Sequence, residues 1–428
     1  MNGQHAGRRS TLAFSAYCVL AAFGTYFCVY AFRKPFTAAT FEGHALGELP
    51  LKALYVSTQV AGYTLSKFIG IRVVSSMPAA QRAAALLGLV AVAEASLLMF
   101  GLTPAPWNAV WLFVNGLPLG MTFGLILGFL EGRRQTEALT AGLCASFVLS
   151  SGVVKSVGRT LVTDHHVSEF WMPAAVGAVF AVPLVIFVTM LSRIPPPNAA
   201  DEERRAPRDV MTRDERRGFF RRHAVGLTGL VAVYLLLTVG RSLRDDYAVE
   251  IWGELDSSQG PSVYARTELA ASFLVLVACG ATAVIRDNRR AFSTSLWLST
   301  AGLACLALSV VMVRCNGIGA FGFMVLSGIG LYVPYAMFHT TVFERLIAVF
   351  RERANLGYPM YLADAFGYLG YVGVLVVNSL VGERSETRSL DLFFTVCLTI
   401  SIGSVLALSL IGLHFGRRTR GAVDATSA

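Results

Sequence analysis

Long apolar segments recur along the whole chain and constrain its fold more than any other feature. A window of about 20 apolar residues is long enough to cross the hydrocarbon core of a bilayer as a helix. Such windows occur near residues 11–41, 52–73, 81–101, 107–130, 138–160, 168–192, 225–249, 262–285, 291–313, 317–341, 354–380 and 389–415. Charged residues make up only 15% of the 428 residues, whereas soluble proteins contain about 25%. We therefore predict an all-α membrane protein with twelve transmembrane helices.

The basic residues between these segments predict how the chain is oriented. Arginines occur at both termini and in every second loop, namely Arg8, Arg9, Arg72, Arg82, Arg133, Arg134, Arg286, Arg289, Arg290, Arg345, Arg351, Arg353, Arg417, Arg418 and Arg420. The intervening loops are neutral or of mixed charge. Because cytoplasmic loops carry the excess of Lys and Arg, both termini are predicted to be cytoplasmic. We attribute the net charge of +9 to basic residues that set the orientation of the chain in the membrane, and we expect no nucleic acid partner.

One long polar segment, residues 193–224, interrupts the apolar pattern. It begins with prolines that end the sixth predicted helix, and it is rich in arginine. We predict a cytoplasmic central loop between two six-helix bundles, residues 1–192 and 225–428, the layout of transporters built from repeated bundles. An arm that binds a partner protein is the alternative. We expect a monomer in the lipid bilayer of a bacterial inner membrane.

Sequence motifs for catalysis, cofactors and metals are missing. The sequence contains no Walker loop, Rossmann fingerprint, Gly-x-Ser-x-Gly or zinc-type His-Glu motif. Its seven cysteines are scattered through apolar segments without metal spacing, and we expect free thiols. His165 and His166 fall in a predicted external loop. We therefore predict neither an enzyme nor a cofactor, and no metal site.

Positive side chains within predicted helices are the main candidate site residues. Charges inside a membrane span are costly, so a function is their default explanation. Helical spacing places Tyr30 with Arg33 on the first helix and Tyr63 with Lys67 on the second. Arg241 lies in the seventh helix, and guanidinium suits phosphate or carboxylate because its planar fork donates two parallel hydrogen bonds. We predict that these five residues bind an anion.

Lysine usage adds two candidates. Only four of the 36 cationic residues are lysine, and Lys34, Lys67 and Lys155 lie in predicted helices. A compact ammonium can serve as a point charge, so we include Lys34 and Lys155 in the predicted binding site. The alternative is that both snorkel to the membrane interface. Pro35, which follows Lys34, is predicted to kink the first helix.

Carboxylates in apolar segments are candidates for ion pairing or for proton coupling. Asp245 and Asp246 lie in the seventh predicted helix and Asp364 in the eleventh, where Tyr361 shares its face. Neutralisation of Asp245 by Arg241 one turn away is an alternative to substrate binding. We interpret Glu94 and Glu268 as packing or interface residues.

Several short motifs resemble the major facilitator superfamily and, within it, the organophosphate:phosphate antiporters. They are the Tyr-x-x-Arg-Lys at 30–34, Gly-Tyr-Thr-Leu-Ser-Lys-Phe at 62–68, Arg241 with Asp246, and Gly-Tyr-Leu-Gly at 367–370. The resemblance implies the major facilitator fold and exchange of glycerol-3-phosphate or hexose phosphates. The positions of Arg33 and Arg241, one in each half of the chain, further predict that they hold one anion between the two bundles. The chain departs from the branch at 70–76, which lacks the expected aspartate, and at Leu149, where the branch has histidine.

The sequence therefore predicts a secondary transporter of a small organic anion, such as a phosphate ester. Two alternatives remain open. One is a transporter-like sensor of a phosphorylated metabolite, which the altered loop at 70–76 allows. The other is a proton-coupled symporter of another small solute, in which Asp364 and Glu268 would face a cavity.

Overall fold

The computed structural model describes residues 2–47, 49–130, 136–195, 213–349, 357–381 and 389–427. Within these ranges the side chains of some residues, Tyr361 and Arg72 among them, lie outside the description. Regular structure in the described ranges is helical apart from one antiparallel hairpin, in which Ala45–Leu46 pairs with Leu49–Pro50.

The helices follow the predicted apolar segments closely. The first six are α1 Asn2–Arg33, α2 Leu51–Ser76, α3 Ala79–Leu102, α4 Ala109–Leu130, α5 Thr136–Thr163 and α6 Met172–Ser192. Later in the chain come α7 Arg213–Asp246, α8 Ala248–Leu255, α9 Val263–Ala283, α10 Asn288–Arg314, α11 Ala320–Met337, α12 Phe343–Val349, α13 Gly357–Val381 and α14 Ser389–Ser427. A five-residue π-helix, Phe338–Val342, joins α11 to α12.

The first predicted helix and the predicted central loop differ from the structure. The first helix was expected to continue to residue 41, but α1 ends at Arg33 and is followed by the 3₁₀ helix Pro35–Ala38. Conversely, the predicted loop 193–224 is helical from Arg213 onward, with a break at His223. Its Arg and Glu residues are good helix formers, so a polar segment here does not require a loop. The remainder of that loop, 196–212, lies outside the described residues.

The chain is a multi-pass integral membrane protein. In the part of the chain that the structure describes, nine helical segments are long and apolar enough to cross a bilayer. The long helices α2, α5 and α13 are not among these nine segments. In α13 the described apolar segment is only Leu362–Val377. Lys67 and Lys155 lie in α2 and α5, and charged side chains lower the hydropathy of a helix. The number twelve therefore stays a prediction.

Close packing of helices divides the chain into two units. Unit 1 comprises Met1–Pro207, Asp245–Ser272 and Leu375–Ser385, and unit 2 comprises Arg208–Arg244, Phe273–Val374 and Glu386–Ala428. In unit 1, α1 packs on α5 and α6, and α2 and α3 pack on α4. In unit 2, α10 packs on α11 and α14. The predicted halves 1–192 and 225–428 follow chain order and stay a prediction.

At two glycines the helices α2 and α4 approach each other to within backbone contact. A Cβ atom added at Gly62 would lie 2.2 Å from the carbonyl oxygen of Phe113, and one at Gly116 would lie 2.4 Å from that of Gln59. Small residues allow membrane helices to approach in this way. The contact fixes the position of α2, which carries Tyr63 and Lys67.

Candidate functional site

The end of α1 sets the position of the first predicted cations. The last α-helical hydrogen bond runs from the Lys34 amide to the Tyr30 carbonyl, at 3.1 Å. Pro35 has no N–H to continue the ladder, and the chain turns into the buried 3₁₀ helix Pro35–Ala38. Arg33 and Lys34 are only 5% and 3% exposed. Both cations therefore lie inside the protein at a helix end, rather than at an exposed membrane interface.

Two amide side chains stabilise this helix end. The Asn115 Nδ2 of α4 donates to the carbonyl oxygens of Phe32 and Ala93, each at 3.0 Å. The Gln59 Nε2 of α2 donates to the carbonyl oxygen of Arg33 at 3.3 Å. Carbonyl groups at the end of a helix lack intrahelical partners and cost free energy when buried without a donor. The break after Arg33 is thus supported by the neighbouring helices.

Arg33 and Lys67 approach the same aromatic ring. The Arg33 Cζ lies 3.6 Å from the centroid of the Tyr63 ring, and the Lys67 Nζ lies 5.2 Å from it. Arg33 also lies 6.0 Å from the Tyr30 ring, and Lys67 lies 5.9 Å from that of Phe123. Both cations are buried. Cation–π contacts stabilise such charges by about 0.5–2 kcal/mol each. The predicted residues Arg33, Lys67, Tyr30 and Tyr63 are therefore gathered in one part of unit 1, which we call the Tyr63 cluster.

Asp245 connects α5 with α1. Its carboxylate accepts hydrogen bonds from the Lys155 ammonium and the Ser151 hydroxyl of α5. It also accepts one from the Tyr30 hydroxyl at 2.5 Å. Ser151 is a further site residue that the sequence did not single out, because its partner is 94 residues away.

Two further lysines pair with acids that follow Asp245 in the chain. Lys34 forms an ion pair with Asp246. The Lys52 ammonium lies 2.5 Å from the Glu250 carboxylate and also donates to the Thr37 carbonyl at 3.1 Å. Burial raises the pKa of the Glu250 carboxyl above its usual value, and the Lys52 ammonium opposes that shift. Three of the four lysines thus form ion pairs with residues 245–250.

These ion pairs bear on the two open interpretations of the lysines. Lys34 and Lys155 are 3% and 2% exposed, so their ammonium groups end inside the protein and do not snorkel to its surface. Asp245 forms an ion pair with Lys155 of α5, so its partners are not limited to residues of its own helix. Whether Lys34 or Lys155 also binds a solute stays a prediction.

Arg241 lies in a second cluster, in unit 2. Its Cζ lies 4.5 Å from the centroid of the Tyr335 ring, and its Nη2 donates to the Tyr368 hydroxyl at 3.3 Å. Arg244, three residues later, donates to the Tyr332 hydroxyl at 3.2 Å and to the Met324 carbonyl at 2.7 Å. The sequence did not single out Arg244, which is 1% exposed.

Asp364 belongs to a hydrogen-bonded group in unit 2 that includes Tyr234 and His339. The Tyr234 hydroxyl of α7 donates to the Asp364 carboxylate of α13 and lies 2.8 Å from the Nε2 of His339. His339 lies in the π-helix. The side chain of Tyr361, predicted to share this face, lies outside the described residues. The described residues contain no group of three or more side chains that could hold a metal ion.

Solved structures of transporters share the fold. The crystal structure of a D-xylose-proton symporter matches with a TM-score of 0.59 and 12% identity, covering 94% of this chain and 97% of that one. The crystal structure of a mutant of a peptide transporter POT matches with a TM-score of 0.59 and 13% identity, covering 94% of each chain. The chain therefore has a major facilitator-like fold. No curated protein matches it in sequence. Residues 35–418 match the family described as a family of unknown function, DUF5690, and the chain belongs to that family.

Proposed function

We propose that the protein is a secondary active transporter of a small organic anion, with a phosphate ester as the leading substrate class, in a bacterial inner membrane. It carries out no chemical conversion; binding of the anion biases the alternation between inward-open and outward-open states. The observation that supports this proposal is the Tyr63 cluster, where buried Arg33 and Lys67 approach one ring at 3.6 and 5.2 Å.

Two like charges near one buried ring favour a negatively charged ligand. Removing each cation from water costs several kcal/mol, and the two repel each other in a medium of low dielectric constant. An anion within reach of both offsets these costs. The guanidinium supplies a planar fork for two oxygens of a phosphate or carboxylate, and the ammonium supplies a point charge. That Arg241 also binds an anion stays a prediction from the sequence.

The proposed topology has twelve spans with both termini cytoplasmic. It adds α2, α5 and α13 to the nine apolar spans. These three helices contain polar residues, such as Gln59, Ser151 and Asp364, that are buried in the protein. The low hydropathy of the helices is therefore compatible with a position in the membrane. In this topology Arg33, Lys155 and Asp245 lie toward the outer ends of their helices.

The three lysine–acid pairs suit a contact that is broken and remade during transport. Lysine offers a single charged group, whereas arginine binds a carboxylate through two parallel hydrogen bonds. The chain uses arginine for nearly all its other cations. We propose that the pairs of Lys34, Lys52 and Lys155 close the outer side of the transporter and separate when that side opens.

Uptake into proteoliposomes tests the proposed function. Purified protein is reconstituted and offered radiolabelled phosphate esters, phosphonates and carboxylates, each with its uncharged analogue. We expect uptake of an anion that is abolished in Arg33→Gln. Arg314→Gln is the matched control, because Arg314 has a half-exposed side chain and lies 3.8 Å from Asp391. Equal uptake by wild type and Arg33→Gln, with both folded, contradicts the assigned role.

A further inference from the structure

We propose that Asp364, Tyr234 and His339 form a proton-binding relay, in which Asp364 is the proton acceptor and His339 the group through which the proton enters. The inference rests on the proposed function and deepens it by naming the coupling ion of the transporter. It assigns roles to Tyr234 and His339.

The three side chains come from three different elements and are buried. Tyr234 belongs to α7, His339 to the π-helix and Asp364 to α13. Their exposed fractions are 1%, 7% and 8%. Ionisable groups at such depth in a membrane protein are costly, and they commonly mark proton pathways. π-Helical turns likewise occur frequently at functional sites.

The single hydroxyl hydrogen of Tyr234 makes this group a two-state element. When Asp364 is ionised, the Tyr234 hydroxyl donates to the carboxylate, and the protonated Nε2 of His339 donates to the Tyr234 oxygen at 2.8 Å. When Asp364 is protonated, its own O–H donates to the Tyr234 oxygen, and the Tyr234 hydroxyl donates to an unprotonated Nε2. The Tyr234 oxygen therefore keeps its hydrogen bonds to Asp364 and His339 in both states.

Proton transfer connects the two states without losing or gaining an atom. His339 takes up a proton at Nδ1 and becomes a cation. It passes its Nε2 proton to the Tyr234 oxygen while Tyr234 passes its own hydroxyl proton to Asp364. The products are neutral histidine, tyrosine and the carboxylic acid. One proton has entered, and the carboxylate charge has been neutralised.

The groups facing the relay can tune its proton affinity. The Tyr335 ring of α11 stacks on Tyr234 with centroids 5.2 Å apart and lies 4.7 Å from the His339 ring. The Arg241 guanidinium of α7 lies 4.5 Å from the centroid of the Tyr335 ring and donates to Tyr368 of α13. A cation near a carboxyl favours its ionised form. Binding of an anion near Arg241 would weaken that effect and favour proton uptake.

Carbodiimide labelling tests the relay without a transport substrate. Dicyclohexylcarbodiimide adds to protonated carboxyl groups in apolar surroundings, and peptide mass spectrometry of the full-length protein measures the labelled fraction at Asp364. We expect labelling that decreases as the pH is raised, and that persists in Asp364→Glu but not in Asp364→Asn. His339→Gln and Tyr234→Phe remove groups that favour the ionised carboxylate, so each should move the midpoint to higher pH by about one unit, a tenfold change in proton affinity.

Glu94 of α3 provides the internal control. Its Oε2 is buried and accepts no hydrogen bond from the described residues, and it belongs to unit 1. Its labelling should be the same in wild type and in every variant, which also verifies that each variant is folded. If Glu94 is labelled but Asp364 is labelled at no pH, the proposal is overturned. An Asp364 profile that His339→Gln and Tyr234→Phe leave unchanged would also overturn it.

The two proposals can fail separately. If no anion is taken up but the Asp364 profile shifts as expected, the relay stands and the proposed substrate class is wrong. If anion uptake depends on Arg33 but the profile does not shift, the transporter stands and the relay is wrong.

Discussion

Replacing Asp245 by asparagine tests the ion pairs most sharply. The Lys155 and Asp245 side chains are each only 2% exposed, and the carboxylate also accepts hydrogen bonds from Ser151 and Tyr30. Asparagine keeps the size of the side chain but leaves the Lys155 ammonium without a counter-charge. Removing one partner of a buried ion pair typically costs about 3–5 kcal/mol. We therefore expect Asp245→Asn to lower the free energy of unfolding by that amount.

The same chain offers a surface pair as the matched control. Arg314 and Asp391 lie 3.8 Å apart with side chains 51% and 59% exposed. Exposed pairs contribute about 0–1 kcal/mol, so Asp391→Asn should change stability by no more than that. Both stability changes are measured by thermal and denaturant unfolding in detergent, with cysteine accessibility as the readout. The buried cysteines Cys28, Cys279 and Cys397 are free thiols and can report unfolding.

A double variant separates the missing charge from general damage. In Asp245→Asn/Lys155→Met the buried charge is replaced by an apolar side chain, and a buried pair can be exchanged for apolar residues at little cost. We expect the double variant to recover most of the stability lost in Asp245→Asn. The reasoning is refuted if Asp245→Asn destabilises no more than Asp391→Asn, or if the double variant is less stable than the single one.

Three further predictions concern the neighbourhood of the Tyr63 cluster. Asn115→Leu removes the side-chain donor from the Phe32 carbonyl at the end of α1 and should destabilise the protein by about 1–3 kcal/mol, measured by thermal unfolding; no change would contradict the capping role. Gly62→Leu should prevent the approach of α2 to α4, because its Cβ would lie 2.2 Å from a backbone oxygen, and size-exclusion chromatography should show aggregated protein; a monodisperse wild-type-like variant would contradict it. Tyr63→Leu should weaken anion binding by about 0.5–2 kcal/mol, while Tyr63→Phe, which keeps the ring face, should not; equal affinities in the two variants would contradict the role of the ring.

Much of the fold could be predicted from the sequence because the bilayer imposes a simple rule. Backbone groups in lipid must be satisfied within the chain, so a long apolar segment is a helix. The described helices accordingly begin and end near the predicted limits in most cases, for example α10 at Asn288–Arg314 against the predicted 291–313. Pro35 was correctly identified as a disruption, but hydropathy could not distinguish a kink from the end of α1.

The missed elements are those that hydropathy does not record. The π-helix Phe338–Val342 lies inside an apolar segment, and only its hydrogen-bond spacing differs from that of an α-helix. The short helix α8, Ala248–Leu255, carries Glu250 and directly follows α7. It was absorbed into the predicted seventh helix and the loop after it.

Individual candidate residues could be identified from the sequence, but their partners could not. A lysine in an apolar segment is visible in the sequence, so Lys34 and Lys155 could be identified. Their partners Asp246 and Asp245 are 212 and 90 residues away, a separation over which helical spacing gives no information. The same holds for Tyr234 and Asp364, which are 130 residues apart.

Ligand-induced stabilisation of the wild-type protein and its Lys67→Gln variant tests the central claim most directly. The probes are glucose 6-phosphate and glucose, which differ by the phosphate, together with glycerol 3-phosphate and glycerol. We predict that the phosphorylated probes raise the unfolding temperature of the wild type, that the neutral ones do not, and that Lys67→Gln loses the response. Equal stabilisation by charged and uncharged probes, or an undiminished response in Lys67→Gln, would contradict an anion site at Tyr63.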